Sequence, residues 1–180
     1  RILYVDVGAS LGDCTLAAAA LFPEGSLQGV ALDADPEAVV LLRDTLRVNG
    51  LQPGPETNKS WVRVRRVMLA DSRAPVATAR LDDNGLSSDP RASLLRRVRT
   101  NTLDRELRSV FGHIDLLTMY GSVGFPAAML RGARSTFAKR RARCVLVRRF
   151  EWGDDGSQQP SGEYAQAFLA GLGYATEVAV

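Results

Sequence analysis

Histidine and cysteine are nearly missing from this sequence, with one of the first and two of the second in 180 residues. Cys14 and Cys144 stand far apart, with no Cys-x-x-Cys pair and no histidine nearby, so no metal site is expected. Both read as small buried hydrophobes, and their scarcity suits a reducing compartment such as cytoplasm or an organelle matrix. His113, alone at a helix-to-strand junction, reads as structural. Long apolar runs are missing too. None reaches the roughly 18 residues of a membrane span, and the most apolar stretch, Leu16 to Phe22, reads as a packed helix. Lysine is scarce: 21 of the 23 basic residues are arginine. Arginine suits phosphate, so nucleic acid is a possible partner, although a coding bias toward arginine and alanine explains the excess as well. The clusters Arg63-Val64-Arg65-Arg66 and Arg96-Arg97-Val98-Arg99 alternate with apolar residues as half-exposed strands do. A third, Lys139 to Arg143, closes a helix. None interleaves with aromatics in the manner of single-strand binders.

What is present is an ordinary globular composition, 46% hydrophobic and 24% charged with a net charge of +3. That length fits one domain spanning residues 1–180, with a core large enough to need no disulfide or structural metal. The chain opens directly on a strand pattern at Arg1-Ile2-Leu3-Tyr4-Val5 and stops within another at Ala175 to Val180. It therefore reads as a fragment lacking an N-terminal extension and a last strand.

Strand and helix patterns alternate. Ile2 to Val7 is a β-branched apolar run ended by Gly8, and Leu11 to Phe22 is helical, with Pro23-Glu24-Gly25 as the stop. Leu27 to Leu32 is a second buried strand. Asp35-Pro36 supplies an N-cap and an N1 proline for a helix running to Val48, which Asn49-Gly50 ends. Further on, strands are expected at Trp61 to Leu69, Ile114 to Met119 and Arg143 to Phe150. Helices are expected at Thr102 to Phe111, Pro126 to Lys139 and Gly162 to Gly171. Residues 82–93 read as loop between weak strands. This order implies an α/β doubly wound, mostly parallel sheet with helices on both faces and the first strand central. In such sheets ligands bind beyond the carboxyl ends of the strands, where strand order switches.

Three strand ends carry acids there. The first reads Val5-Asp6-Val7-Gly8-Ala9-Ser10-Leu11-Gly12-Asp13. A dinucleotide fingerprint would be Gly-x-Gly-x-x-Gly; here it is Gly-x-x-x-Gly, which fits a ligand without a pyrophosphate. S-adenosylmethionine fits, its carboxylate suiting the amides of the following helix and its ammonium suiting Asp6. Asp33 ends the second strand 25 residues after Gly8, close to where a ribose-binding acid falls. Asp71, after Met68-Leu69-Ala70, is placed to accept from the adenine amino group. Asp71 alone reads as a turn residue, but turn chemistry does not require acids in that register at three successive strand ends. Asp6, Gly8, Ala9, Ser10, Gly12, Asp33, Ala70 and Asp71 are thus the expected cofactor residues.

These segments resemble the FkbM-type methyltransferases, from Val5–Leu16 and Leu32–Pro36 through Leu46–Leu51, Asn101-Thr102-Leu103-Asp104, Ile114-Asp115-Leu116-Leu117 and Leu130-Arg131-Gly132-Ala133. Order and spacing agree from the first strand to about Phe150, and Gly171 to Tyr174 matches a late Gly-Tyr. The resemblance implies binding of S-adenosylmethionine and methylation of hydroxyl groups on sugars, lipids or natural products. One stretch departs. Where the family continues Lys-Ile-Asp-Val-Glu-Gly, this chain reads Thr118-Met119-Tyr120-Gly121-Ser122-Val123-Gly124, with one residue inserted. Tyr120 stands at the family's aspartate and Ser122 near its glutamate, the acids beside the expected methyl-transfer site. Tyr120 and Ser122 are the catalytic candidates on that basis, a phenol acting as a base only when its proton affinity is strongly lowered. Glu151 and Trp152 are candidates for the substrate side.

Two function classes follow. One is an O-methyltransferase acting on a small-molecule hydroxyl acceptor, in which positioning supplies much of the catalysis. The other is a catalytically silent methyltransferase-like subunit of a larger assembly, organellar for instance, whose partners are protein subunits. An RNA methyltransferase rests on the arginines alone, and the Asn-Pro-Pro-Tyr-like loop of amino-group methyltransferases is missing.

Overall fold

The computed structural model describes residues 1–51, 54, 59–72, 77–82, 85–87, 94–109, 112–120, 126–139, 142–147 and 161–177. Its elements in chain order are β1 (Ile2–Val7), α1 (Asp13–Leu21), β2 (Leu27–Asp33), α2 (Pro36–Val48), β3 (Trp61–Arg66), β4 (Met68–Leu69), β5 (Ala77–Asp82), β6 (Gly85–Ser87), β7 (Leu94–Val98), β8 (Thr100–Asn101), α3 (Leu103–Glu106), β9 (Ile114–Met119), α4 (Pro126–Gly132), α5 (Arg134–Ala138), β10 (Ala142–Val147) and α6 (Ser161–Gly171).

Five strands form one parallel sheet in the order β10-β9-β1-β2-β3, with β1 central as the sequence implies. The chain steps outward from β1 to β3, then crosses over to β9 and β10, so strand order reverses between β1 and β9. That reversal opens the crevice where α/β sheets hold ligands. Side-chain parity builds the two faces. Leu3, Val5 and Val7 of β1 join Val30, Leu32, Leu117, Met119 and Phe137 in one core cluster. Tyr4 faces the other way, with Leu27, Ala31, Leu42, Leu46 and Val62. Helix α2 forms as its sequence predicts: Asp35 accepts from the Glu37 amide at 2.8 Å, Val39, Leu42 and Leu46 are buried, and Gly50 stops the helix at a φ of 76°.

Several expectations are corrected. The run Trp61 to Leu69 is two strands, because the chain changes partner at Val67. Its amide still bonds the Asp33 carbonyl, but Met68 and Ala70 bond Arg99 and Asn101 instead. Three consecutive buried residues, Val67-Met68-Leu69, signal the change, since a strand with one wet face alternates. Part of the expected loop is strand: Gly85–Ser87 pairs with β5, and β6, β5 and β7 form an antiparallel sheet. The helix expected from Thr102 covers only Leu103–Glu106. The helix expected over Pro126 to Lys139 is two, broken at Ala133 because Asp104 takes the Ser135 and Thr136 amides and starts a new one. Ala175 to Glu177 is not strand. Cys14 and Cys144 are exposed rather than buried. On α1 only Thr15 and Ala18 are buried, which turns Cys14 outward. Among the described residues, no helix is long and apolar enough to cross a membrane.

Candidate functional site

The turn after β1 is wound tightly. Gly8, Ser10 and Gly12 all take positive φ, at 74°, 47° and 97°. For Ser10 that backbone is uncommon, and its amide bonds Asp33 Oδ2 at 2.8 Å. The Gly8 and Ala9 amides bond the Leu32 carbonyl at 2.8 and 3.2 Å, and the Gly12 amide bonds Ala9. Gly12 also lets α1 approach α2, since a Cβ there would lie 2.5 Å from Leu42 Cδ1. Gly8 is constrained differently. A Cβ on it would lie 1.8 Å from the Tyr120 carbonyl oxygen. The close approach that this glycine permits is therefore taken by the main chain after β9. The Tyr120 amide is in turn bonded to the Val7 carbonyl at 2.7 Å, while the Tyr120 side chain is exposed.

Asp33, at the end of β2, accepts from Ser10 on one oxygen and from the Asp35 amide on the other, also at 2.8 Å. Burial raises its carboxyl above the usual range, against the pull of those amides. A carboxylate has about four acceptor sites, so these amides do not exhaust its capacity. Asp71 lies beyond β4 and is about half exposed. Its Oδ2 is held by Arg131 through Nε at 3.3 Å and a terminal nitrogen at 3.1 Å. Asp71, and then the Tyr164 hydroxyl, hold that guanidinium above its ordinary range.

Asp6 has a different setting. It is 2% exposed and shares the face of Tyr4, underneath α1. Thr15 Oγ1 donates to its Oδ2 at 2.6 Å and Thr118 Oγ1 to its Oδ1 at 2.7 Å, with the Tyr4 hydroxyl 2.7 Å from Thr118. Burial raises the Asp6 carboxyl, although the hydroxyls oppose the shift. Burial, and then the Asp6 charge, push the Tyr4 hydroxyl far above the usual phenol range. Asp6 thus lies beneath the glycine turn rather than in its mouth. Strand parity carries that signal: Asp6 and Thr118 are register partners on β1 and β9 and turn to one side.

The structure gathers Asp6, Gly8, Ala9, Ser10, Gly12, Asp33 and Tyr120 around the carboxyl ends of β1, β2 and β9. It sets Ala70 and Asp71 beyond the end of β4, against α4. Ser122, Glu151 and Trp152 lie outside the described residues. No role was expected of Thr15, Thr118 or Arg131; the partners of Thr118 and Arg131 lie far along the chain, and that of Thr15 lies on the preceding strand. Among the described residues, no group of three or more His, Cys, Asp or Glu is arranged to hold a metal ion.

Neither a protein-family model nor a curated protein sequence matches the chain. A solved structure does: the crystal structure of methyltransferase FkbM from Methylobacillus flagellatus KT is similar, with a TM-score of 0.52 and 14% identity. The match covers 81% of this chain and 33% of that one, so the chain spans about a third of that protein's length. A likeness at that identity concerns the fold. The domain is methyltransferase-like in architecture.

Proposed function

We propose that the domain binds S-adenosylmethionine, or its demethylated product, across the carboxyl ends of β1, β2 and β4, and serves O-methylation of a hydroxyl on a sugar, lipid or natural product. One observation carries the reading: the Ser10 amide on Asp33 Oδ2 at 2.8 Å, which ties the glycine turn to the acid ending the neighbouring strand. In a methyltransferase-like sheet, that tie sets one carboxylate beside the reversal of strand order, where a ribose diol would meet it.

The remaining residues fit such a ligand. Asp33 keeps acceptor capacity for two hydroxyls, and Asp71 keeps one oxygen clear of Arg131. The turn's own amides are largely committed, so an amino-acid carboxylate meets the opening turn of α1. Asp6 supplies negative potential from beneath, suited to an ammonium or sulfonium above the turn. When bound, the cofactor offers a methyl group for in-line displacement by the acceptor oxygen. The chain's own part is to hold both reactants and exclude water, with Tyr120 and Ser122 contributing contacts to the acceptor.

Calorimetry with S-adenosylhomocysteine tests this. The parent is expected to bind saturably, and Asp33→Ala to lose about 1.5–3 kcal/mol of affinity. Unchanged affinity in that variant would show the ribose lies elsewhere, and no heat in the parent would remove the cofactor reading.

A second reading is favoured by the β9 side, where Tyr120 rather than an acid follows the strand. There the domain is a catalytically silent structural subunit that retains the fold. Saturable cofactor binding without methyl transfer to any hydroxyl acceptor, together with stable association with protein subunits, is its expected signature.

A further inference from the structure

We infer that Arg131 is a positioning residue: with Gly132 it fixes Asp71 so that one carboxylate oxygen is presented to an exocyclic amino group, selecting a 6-amino purine over a 6-oxo purine. This rests on the cofactor reading above. Asp71 lies in a bend after β4, and its side chain is 47% exposed. Without a partner, such a carboxylate would rotate freely and discriminate little.

Two independent contacts remove that freedom. Arg131 spends both Nε and a terminal nitrogen on the same oxygen, Oδ2, at 3.3 and 3.1 Å. The usual two-by-two fork would occupy both oxygens; here Oδ1 accepts nothing among the described residues. The main chain is gripped as well. A Cβ on Gly132 would lie 2.0 Å from the Ala70 carbonyl oxygen and 3.4 Å from Asp71 Cα, so the bare backbone of α4 abuts the segment. On its other side the Ala70 amide bonds the Asn101 carbonyl at 2.9 Å. Adjacent residues of one helix thus hold the side chain and the backbone of one short segment.

The chemistry of the presented atom sets the selectivity. An ionised carboxylate oxygen only accepts. An adenine amino group donates to it, whereas the carbonyl of hypoxanthine would set acceptor against acceptor and leave both unpaired. Discrimination built on such a mismatch exceeds what apolar shape provides. Arg131 also offsets the charge of Asp71, so the site answers to donor geometry more than to any passing cation.

The test compares S-adenosylhomocysteine with S-inosylhomocysteine by calorimetry. The parent is expected to favour the adenosyl ligand by about tenfold or more. Arg131→Met should bring that ratio close to one, mostly by weakening the adenosyl ligand, and Arg131→Lys, with a single donor group, should fall between. A purely structural role would weaken both ligands alike and leave the ratio intact, which would overturn the inference while the cofactor reading stands. Failure of the parent to bind either ligand would overturn both.

Discussion

On the β2 side of the central strand, acids at the strand ends are held in place by donors, Asp33 by two backbone amides and Asp71 by Arg131. On the β9 side no acid follows the strand. Thr118 turns under α1 to serve Asp6, and Tyr120 lays its carbonyl against Gly8 with its ring outward. One flank presents carboxylates already fixed by donors; the other presents, among the described residues, a main-chain carbonyl and an exposed phenol. The two flanks of β1 meet at the glycine turn, and under the proposed function cofactor recognition falls to the first and contacts to the acceptor to the second.

The sharpest way to break the comparison is at the shared turn. Gly8→Ala combines a positive φ with a Cβ driven into the Tyr120 carbonyl. It should cost on the order of 3 kcal/mol of stability and abolish ligand binding, as read from urea denaturation and calorimetry. An unchanged denaturation midpoint would mean that the two flanks do not meet at Gly8.

Asp6 offers a finer probe. Its carboxyl is raised in the folded state, so its contribution to stability is fully present below the unfolded value of about 3.9 and is lost as pH rises through the folded value. Ionised Asp6 therefore costs stability near neutrality. Asp6→Asn should flatten the thermal-stability profile above pH 4 and leave the variant at least as stable as the parent at pH 7. Weaker binding of a cationic ligand in the same variant would sharpen the contrast, giving Asp6 an electrostatic role and Asp33 a contact role. A steeper profile in the variant would contradict the shift.

The smallest effect is expected at Tyr120→Phe, which should leave cofactor affinity unchanged and alter any turnover less than tenfold. A loss of about 10²-fold or more would make the phenol the base and give the β9 flank the proton chemistry that its sequence lacks.

Much of the fold was legible in the sequence because it rests on local signals. The β-branched run at Ile2–Val7 and the Asp35-Pro36 start of α2 depend on residues that neighbour each other. What escaped depends on partners far along the chain. The break at Ala133 requires Asp104, and the change of partner at Val67 requires Arg99 and Asn101. Within the candidate site, Gly8, Asp33 and Asp71 could be singled out because strand-end position is readable from pattern. The burial of Asp6 was readable in principle from the parity of β1, whereas the Arg131 grip on Asp71 joins residues 60 apart, which no local pattern encodes. The exposure of both cysteines shows composition misleading where orientation decides, that of helix α1 for Cys14 and that of the edge strand β10 for Cys144.

The carboxylate of Asp104 has a consequence for the order in which the molecule assembles. It accepts from the Ser135 amide on one oxygen at 2.9 Å, and from the Thr136 amide and hydroxyl on the other at 2.7 Å each. Those amides open α5, a helix of five residues, well short of the roughly 12–15 that an isolated helix needs in water. Its start is supplied from outside, by a residue more than thirty positions earlier in the chain. Helix α5 is thus expected to form only where α3 has already docked and to open together with it, as amide hydrogen exchange in an Asp104→Ala variant would check.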